Sequence, residues 1–297
     1  FEDISFFEEI ERAVKRKGQV ILYGPPGTGK TFTIQQYLKW LQTKDEVVSE
    51  FCTFHPSFQY EDFIEGFKPI VGEQNTIAFK LEDGIFKSFV KQAKAEPKKR
   101  FVFIIDELNR GNIPKIFGEL ITLLEKDKRG LELRLPQSKE AFSIPENVQL
   151  LCTMNTADRS IKMMDAAIKR RFAFVECMPN YDVLNEPLED LSVTPANILK
   201  HLNGRLTKLQ GRDLQIGHAY FMTEGKVANS IDEFMDLFRY DIIPLLQEYC
   251  FDNYEALEDL IGSSFVDVVN NELNQNIFTK EAFISAIEQH FQVNYEE

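Results

Sequence analysis

One glycine-rich segment constrains the fold of this chain more than any other feature. It reads GPPGTGKT over residues 24–31, fits the pattern GxxxxGKT, and lies between a short apolar run and a helical stretch. In such a loop, backbone N–H groups close around phosphate oxygens, and the dipole of the following helix favours negative charge. We therefore predict a nucleotide site, with Lys30 bridging the β- and γ-phosphates and the Thr31 hydroxyl binding Mg²⁺. The residues predicted to bind the nucleotide are Gly24, Pro25, Pro26, Gly27, Thr28, Gly29, Lys30 and Thr31.

Strand-like runs alternate with helical stretches through the first half of the chain. Continuous apolar runs such as FVFII suit strands that are covered on both faces. The alternation predicts βαβ units and a doubly wound parallel sheet, hence the α/β class. We predict strands at 19–23, 47–54, 101–105, 148–154 and 171–176, and helices at 31–42, 83–96 and 114–124. Turn residues predict one hairpin at 76–86 and another at 131–144.

The net charge of −13 is unevenly distributed and indicates two domains. Residues 1–183 hold 27 basic and 27 acidic side chains, whereas residues 184–297 hold 7 and 20. The acidic part has few strand signals, and its spacing predicts helices at 196–209, 231–250, 254–261 and 280–291. We predict an α/β nucleotide-binding domain over residues 1–183 and an acidic all-α domain over residues 184–297. Because an acidic domain repels phosphate backbones, we expect poor general affinity for DNA from this chain alone.

Three polar residues at the ends of apolar runs supply the second half of a hydrolytic phosphate site. Asp106 follows FVFII and is predicted to bind Mg²⁺ together with Thr31, while Glu107 polarises the attacking water. Asn155 ends the run LLCTM, which in a parallel sheet would lie beside the strand that ends in Asp106. We predict that Asn155 senses the γ-phosphate or positions the water. The presence of both acids favours hydrolysis over binding alone.

Two adjacent arginines, Arg170 and Arg171, precede the apolar run FAFVEC. Surface arginines are usually solvated, but at this point of a ring ATPase they would face the nucleotide of the neighbouring subunit. An arginine finger supplied in trans is worth ~10³–10⁵ in rate. We predict that role for this pair, and the sequence leaves open which of the two enters the neighbouring site.

These motifs together resemble those of the AAA+ superfamily of P-loop NTPases. Within it, the chain resembles the McrB-like family, the motor subunits of methylation-dependent restriction. The matching strings are FHPSFQYEDFIEGFKP, IIDELNRGNIPKIFGELITLLE, MNTADRSI, DAAIKRRFAF and QIGHAYFM. The resemblance covers nearly the whole chain and implies a P-loop core followed by a helical lid. It also implies a homo-hexameric ring that hydrolyses GTP with Mg²⁺, and a McrC-type partner that holds the nuclease, stimulates hydrolysis and cleaves translocated DNA.

The resemblance assigns roles to further residues. It implies that Asn109 helps to relay the stimulation by the partner to the catalytic water, and that Asp158 and Arg159 work at the subunit interface. His218, within QIGHAYFM, lies in the lid and is expected to approach the nucleotide. The preference for GTP follows from the resemblance alone, because the nearest match to a guanine-reading NKxD loop, at residues 43–46, departs from the pattern. ATP therefore stays an alternative.

Two other functions share part of these motifs. A MoxR-like chaperone ATPase would remodel protein partners and would share the P-loop, the Asp-Glu pair and the lid. It is not expected to carry FHPSFQYEDFIEG or MNTADRS. A nucleotide-gated scaffold would bind without turnover, which Glu107 and the two arginines argue against.

Several features bear on the cellular context. No run approaches 18 consecutive apolar residues, so we expect no membrane span. The four cysteines are far apart and form no CxxC pair, which favours reduced thiols in the cytoplasm. The chain opens FEDISFFEEI without a signal-peptide pattern, and we expect it to be a piece of a longer protein. Recognition of modified DNA is therefore not assigned to these residues, and DNA cleavage is expected in the partner.

Overall fold

The structure, a computed structural model, describes residues 4–71, 77–158 and 166–292. By internal contacts the chain divides into two units. The first takes in the described residues up to Tyr23 and those of Lys30–Glu176, and the second takes in Gly24–Gly29 and the described residues from Cys177 onwards. Among the described residues, no helix is long and apolar enough to cross a membrane.

The first half of the chain alternates helices and strands in the order that its sequence predicts. In chain order the elements are α1 (Ile4–Lys17), β1 (Gln19–Gly24), α2 (Lys30–Gln42), β2 (Val47–Thr53), α3 (Tyr60–Phe63), β3 (Glu65–Val71), β4 (Ile77–Asp83), α4 (Ile85–Ala95), β5 (Arg100–Asp106), α5 (Ile113–Phe117), β6 (Leu133–Arg134), β7 (Ala141–Phe142), β8 (Val148–Asn155), α6 (Ala166–Arg171) and β9 (Ala173–Glu176). The amphipathic helix α1, which buries Phe7, Ile10 and Val14, is an addition to the prediction, as are α3 and β3.

A five-stranded sheet in the order β2-β5-β8-β1-β9 forms the centre of the first unit. The pairs β2–β5, β5–β8 and β1–β9 run parallel. On β5, Phe101 and Phe103 join a core with the aromatic side chains of α4, while the alternate residue Val102 is equally buried on the opposite face. A strand covered on both faces explains the unbroken apolar run FVFII. The predicted α/β class and doubly wound parallel sheet are confirmed.

Two of the predicted element boundaries in the first unit are wrong for the same reason, a glycine. Gly118 has φ +50 and ends α5, so the predicted helix 114–124 continues only as a 3₁₀ segment, Gly118–Leu124. Gly84 was expected to turn a hairpin at 76–86, but it precedes α4 and lies so close to Phe63 that a Cβ would come within 2.4 Å of that residue's carbonyl carbon. Within this range, Ile77–Asp83 is instead one strand paired with β3, and α4 begins at Ile85. The second predicted hairpin is confirmed as β6–β7.

The second unit is helical, as its sequence predicts. Its elements are α7 (Pro195–Gln210), β10 (Met222–Thr223), β11 (Lys226–Val227), α8 (Ile231–Leu237), α9 (Ile243–Tyr249), α10 (Tyr254–Ile261), β12 (Val266–Asp267), β13 (Glu272–Leu273) and α11 (Lys280–Phe291). The strands form two short hairpins, which the sequence did not indicate. The predicted helix 231–250 is α8 and α9 joined by a π-helical turn, Phe238–Ile242. Pro244 follows that turn, and the wider register there accommodates its missing N–H group.

Candidate functional site

The two predicted magnesium ligands lie together in the first unit. Thr31 lies in the first turn of α2, and its hydroxyl donates to Oδ1 of Asp106, which ends β5, at 2.9 Å. Thr153, buried on the neighbouring strand β8, donates to the same oxygen and accepts the N–H of Glu107 at 3.1 Å. Hydroxyl and carboxylate oxygens are the donors that Mg²⁺ prefers, so this corner fits the ion. Lys30, one residue before Thr31, is also buried.

Glu107 has a backbone and side chain that are both unusual. It has φ +54, in the left-handed region that non-glycine residues rarely adopt. Its Oε1 accepts the side-chain amide of Asn155 at 2.6 Å, and its Oε2 lies 3.2 Å from Nε of Arg110. Burial raises the pKa of Glu107, the carboxylates of Asp106 and Asp158 raise it further, and Arg110 opposes them. A carboxylate with a raised pKa is a better proton acceptor, as a general base requires.

A second set of polar contacts joins the residues that follow Glu107 to the end of β8 and the loop after it. The amide of Asn109 lies 3.4 Å from Oδ2 of Asp158 and 3.5 Å from the carbonyl of Asn155. Nε of Arg110 lies 3.9 Å from the same Asp158 oxygen. The structure therefore brings Asn109, Asn155 and Asp158 together around Glu107. Arg159 lies outside the described residues.

The two predicted finger arginines form a separate cluster around one acid. Arg170 and Arg171 both approach Oε1 of Glu125 at 2.6 Å, and Lys128 lies 2.9 Å from Oε2. The hydrogen bonds from Lys128 and Arg170 lower the pKa of Glu125 to about 2. Only 9% of the Arg171 side chain is exposed, against 68% of the Arg170 side chain. Arg171 also donates to the carbonyl of Ala167, so it is tied into its own unit while Arg170 is accessible.

A surface cavity of about 680 Å³ adjoins this arginine cluster. Its lining carries five basic and two acidic side chains: Arg16, Lys17, Glu125, Lys126, Asp127, Arg170 and Arg171. Lys17 donates to the carbonyl of Arg170, which fixes the end of α1 against α6. The excess of basic groups makes the cavity suited to an anionic group.

The phosphate loop contacts the segment that carries His218 within the second unit. The N–H of Gly217 donates to the Pro26 carbonyl at 3.0 Å, and the N–H of Ala219 donates to the Gly27 carbonyl at 2.9 Å. A Cβ on Gly217 would lie 1.9 Å from the carbonyl carbon of Gly27, so no larger residue fits there. Nε2 of His218 lies 3.6 Å from the point that a Cβ on Gly29 would occupy. The structure thus places His218 beside Gly29 of the loop, and its approach to a nucleotide stays a prediction.

Three residues of the site, Thr153, Arg110 and Glu125, were not predicted as site residues from the sequence. Thr153 lies two positions before Asn155 on β8, and Arg110 three positions after Glu107, so both share a face with a predicted residue. That spacing was the available signal for them. Glu125 contacts the arginines across 45 residues of sequence, and no local pattern indicates such a pairing.

Comparisons with known proteins agree with this geometry. The family model of the AAA domain, dynein-related subfamily, matches residues 19–172, and that of the McrB alpha-helical lid domain matches residues 194–258. The chain therefore belongs to the AAA family, in its dynein-related subfamily. It is a McrB-like member, because its helical region is a McrB lid, and the resemblance seen in the sequence is confirmed.

Two curated relatives extend the comparison. The chain is 39% identical over 267 residues to the type IV methyl-directed restriction enzyme EcoKMcrB subunit of Escherichia coli strain K12, which covers 82% of this chain and 57% of the relative. It is 24% identical over 305 residues to the type II restriction enzyme BsuMI component YdiS of Bacillus subtilis strain 168, covering 87% of each. The chain thus spans little more than half the length of the Escherichia coli relative.

Proposed function

We propose that this chain is a Mg²⁺-dependent nucleoside triphosphatase that hydrolyses GTP as the motor of a DNA restriction complex. The observation that carries the proposal is the pair Glu107 and Asn155, hydrogen-bonded at 2.6 Å beside the Thr31–Asp106 corner. A P-loop alone supports binding, whereas a carboxylate with a raised pKa next to the expected γ-phosphate position supports hydrolysis.

Each residue of the first unit has a chemical task in this proposal. Lys30 contacts the β- and γ-phosphate oxygens, and Thr31 and Asp106 hold Mg²⁺, which neutralises charge on the phosphates when bound. Glu107 accepts a proton from the attacking water. Asn155 fixes Oε1 of Glu107 and so orients the lone pair that receives that proton.

The arginine cluster supports a ring of identical subunits, which we propose to be a hexamer. Arg170 is exposed and Arg171 is buried, so Arg170 is the better candidate for the finger that enters a neighbouring site. Glu125 holds the guanidinium of Arg170 in place until a more strongly charged triphosphate competes for that guanidinium. Asp158 and Arg159 are proposed to act at the same subunit boundary.

The proposals for the partner and the nucleotide are guided by the relatives. Both have names that describe restriction enzymes, which favours a restriction motor over a MoxR-like chaperone. We propose a McrC-type nuclease as partner, with Asn109 relaying its stimulation through Asn155 and Asp158, and DNA translocated by the assembled complex in the cytoplasm. GTP is the proposed nucleotide and ATP the alternative. Residues 1–183 are proposed as the nucleotide-binding domain and 184–297 as the lid.

Steady-state phosphate release tests the proposal, measured with GTP and with ATP, each with and without the nuclease partner. We expect GTP turnover that the partner stimulates. Glu107→Gln should lower turnover by at least ~10²-fold with nucleotide binding retained, and Glu50→Gln, an exposed glutamate on β2, should change nothing. ATP turnover indifferent to the partner would instead support the chaperone, and full activity of Glu107→Gln would exclude the proposed base.

A further inference from the structure

Gln19, the first residue of β1, has a polar side chain that is completely buried in the first unit. Its amide nitrogen donates two hydrogen bonds of 2.6 Å each, to the carbonyls of Leu124 and Arg171. Leu124 ends the 3₁₀ segment and Arg171 ends α6, and the last carbonyls of a helix have no partner within that helix. One buried amide therefore caps the ends of two helical segments at once.

Arg129 determines which way the Gln19 amide points. Its Nη2 donates to Oε1 of Gln19 at 2.8 Å, so the amide oxygen faces a donor while the amide nitrogen faces two acceptors. The reversed amide would place its oxygen against two carbonyl oxygens and its NH₂ group against a guanidinium. Burial lowers the pKa of Arg129 to about 10, and its buried Nη1 has no hydrogen-bond partner among the described residues. The guanidinium is therefore held at an energetic cost in the position that orients this amide.

The two capped segments carry the arginine cluster. Glu125 directly follows Leu124, and Arg170 directly precedes Arg171 in α6. Oε1 of Glu125 lies 2.6 Å from both guanidinium groups. The hydrogen bonds of Gln19 set the separation of these two segments, and that separation determines where the exposed guanidinium of Arg170 lies.

We propose that Gln19 is a positioning residue for the arginine that enters the neighbouring site. Its amide holds the end of α6 against the segment of Glu125 and so fixes the direction in which Arg170 extends from its own subunit. Misplacement of a reacting group by about 1 Å can lower a rate by about 10²-fold, so this anchoring bears on turnover. The inference rests on the proposed function in requiring that Arg170 acts in trans. Loss of the Gln19 amide then damages the site of the next subunit and leaves nucleotide binding in its own subunit intact.

Rings made by coexpressing two variants separate a defect in trans from a defect within the subunit. Gln19→Met preserves the length of the side chain and removes its three hydrogen bonds. We expect rings of this variant alone to hydrolyse GTP at least about tenfold more slowly, with a Kd for GDP within about twofold of the wild type. Glu107→Gln lacks the base but keeps its arginine. In mixed rings some boundaries therefore join an intact base to an intact arginine, and turnover should rise to about a quarter of the wild-type rate, above that of either variant alone.

Two further variants calibrate the measurement. Arg170→Ala coexpressed with Glu107→Gln is the reference for complementation, because it removes the arginine itself. Gln149→Met is the matched control, since Gln149 on the neighbouring strand β8 also accepts a hydrogen bond from an arginine, Arg100, at 2.8 Å. Gln149→Met should hydrolyse GTP at the wild-type rate.

Gln19→Glu keeps the acceptor for Arg129 and loses the amide donors, so it should give the same pattern as Gln19→Met. Where Arg170→Ala complements and both Gln19 variants do not, their defect lies in their own subunit and the inference is overturned. Wild-type turnover of both Gln19 variants would also overturn it. If Arg170→Ala itself fails to complement, the trans arginine of the proposed function is wrong and the inference falls with it. Thermal melting of each variant checks that the first unit remains folded.

Discussion

Thr153 is an uncharged residue that forms hydrogen bonds with two charged residues, Asp106 and Glu107. Its hydroxyl donates to Asp106 and accepts the N–H of Glu107, and its side chain is buried on β8. One hydroxyl therefore sets both the direction of the Asp106 carboxylate, a proposed magnesium ligand, and the start of the strained turn at Glu107. Because a buried group that loses its partner is costly, the surroundings depend on this single oxygen atom.

Thr153→Val removes that oxygen atom and nearly preserves the side-chain volume. We expect the free energy of unfolding to fall by about 1–3 kcal/mol, because the N–H of Glu107 loses its acceptor. Turnover should fall more than about tenfold while the Kd for GDP changes little, since the loop that binds the phosphates is untouched. Thr153→Ser retains the hydroxyl and should recover most of the turnover. Equal turnover in the Val and Ser variants would contradict this role.

At the scale of elements, a buried ion cluster fastens the two hairpins of the first unit to α4. Lys87, on α4, lies 2.7 Å from Glu65 of β3, 2.8 Å from Asp83 of β4, and 2.7 Å from Glu140 in the loop of the β6–β7 hairpin. Lys87 and Glu65 are almost fully buried. Burial alone would raise the pKa of Glu65, but the Lys87 ammonium overrides it and the pKa is lowered.

Lys87→Met shortens the side chain by one atom and removes the charge that three carboxylates share. We expect a loss of about 3–5 kcal/mol in the free energy of unfolding, because Glu65 is left as a buried unpaired charge. Lys91→Met, which removes the half-exposed neighbour that also contacts Asp83 and Glu140, should cost less than about 1 kcal/mol. Chemical denaturation measures the free energy of unfolding of both variants. Similar losses would show that the burial of Lys87 does not increase its contribution to stability.

The elements differ in how far their sequence determines them. The three central strands of the sheet, β5, β8 and β1, could be predicted because each is a mainly apolar run that is buried along most of its length. The range 76–86 could not, since Glu-Asp-Gly also suits the start of a helix, and only the approach of Gly84 to Phe63 decides between the two. In the site, Thr31, Asp106 and Glu107 follow from contiguous motifs. Glu125 does not, because its pairing depends on where a distant turn and α6 meet.

At the scale of the whole molecule, three partly buried histidines of the second unit contribute to acid sensitivity. Burial lowers the pKa of His201 to about 4, with Arg205 and His290 contributing, and burial also lowers the pKa of His218 and His290. Nε2 of His201 is buried and has no hydrogen-bond partner among the described residues. The folded state therefore resists protonation that the unfolded chain accepts near pH 6.5.

Stability should consequently be flat above about pH 6.5 and fall as the pH is lowered towards 4. In that window the unfolded state binds more protons than the folded one. His201 alone should account for about 1–2 kcal/mol at pH 5, allowing for its partial exposure. Melting temperatures of the wild type and His201→Gln between pH 7.5 and 4.5 measure the effect, and the variant should have the shallower slope. Equal slopes of melting temperature against pH in the wild type and the variant would contradict this contribution of His201.

The left-handed backbone of Glu107 has a consequence for directed evolution. Glycine occupies φ +54 without the steric cost that a glutamate bears, and Glu107→Gly would also remove a carboxyl whose ionisation burial disfavours. We expect that variant to be unable to turn over nucleotide and to change by less than about 1 kcal/mol in stability by chemical denaturation, because relief of the backbone strain offsets the lost contacts with Asn155 and Arg110. A library screened for heat resistance alone would therefore tolerate glycine at position 107, so any such screen needs a catalytic readout in the same round.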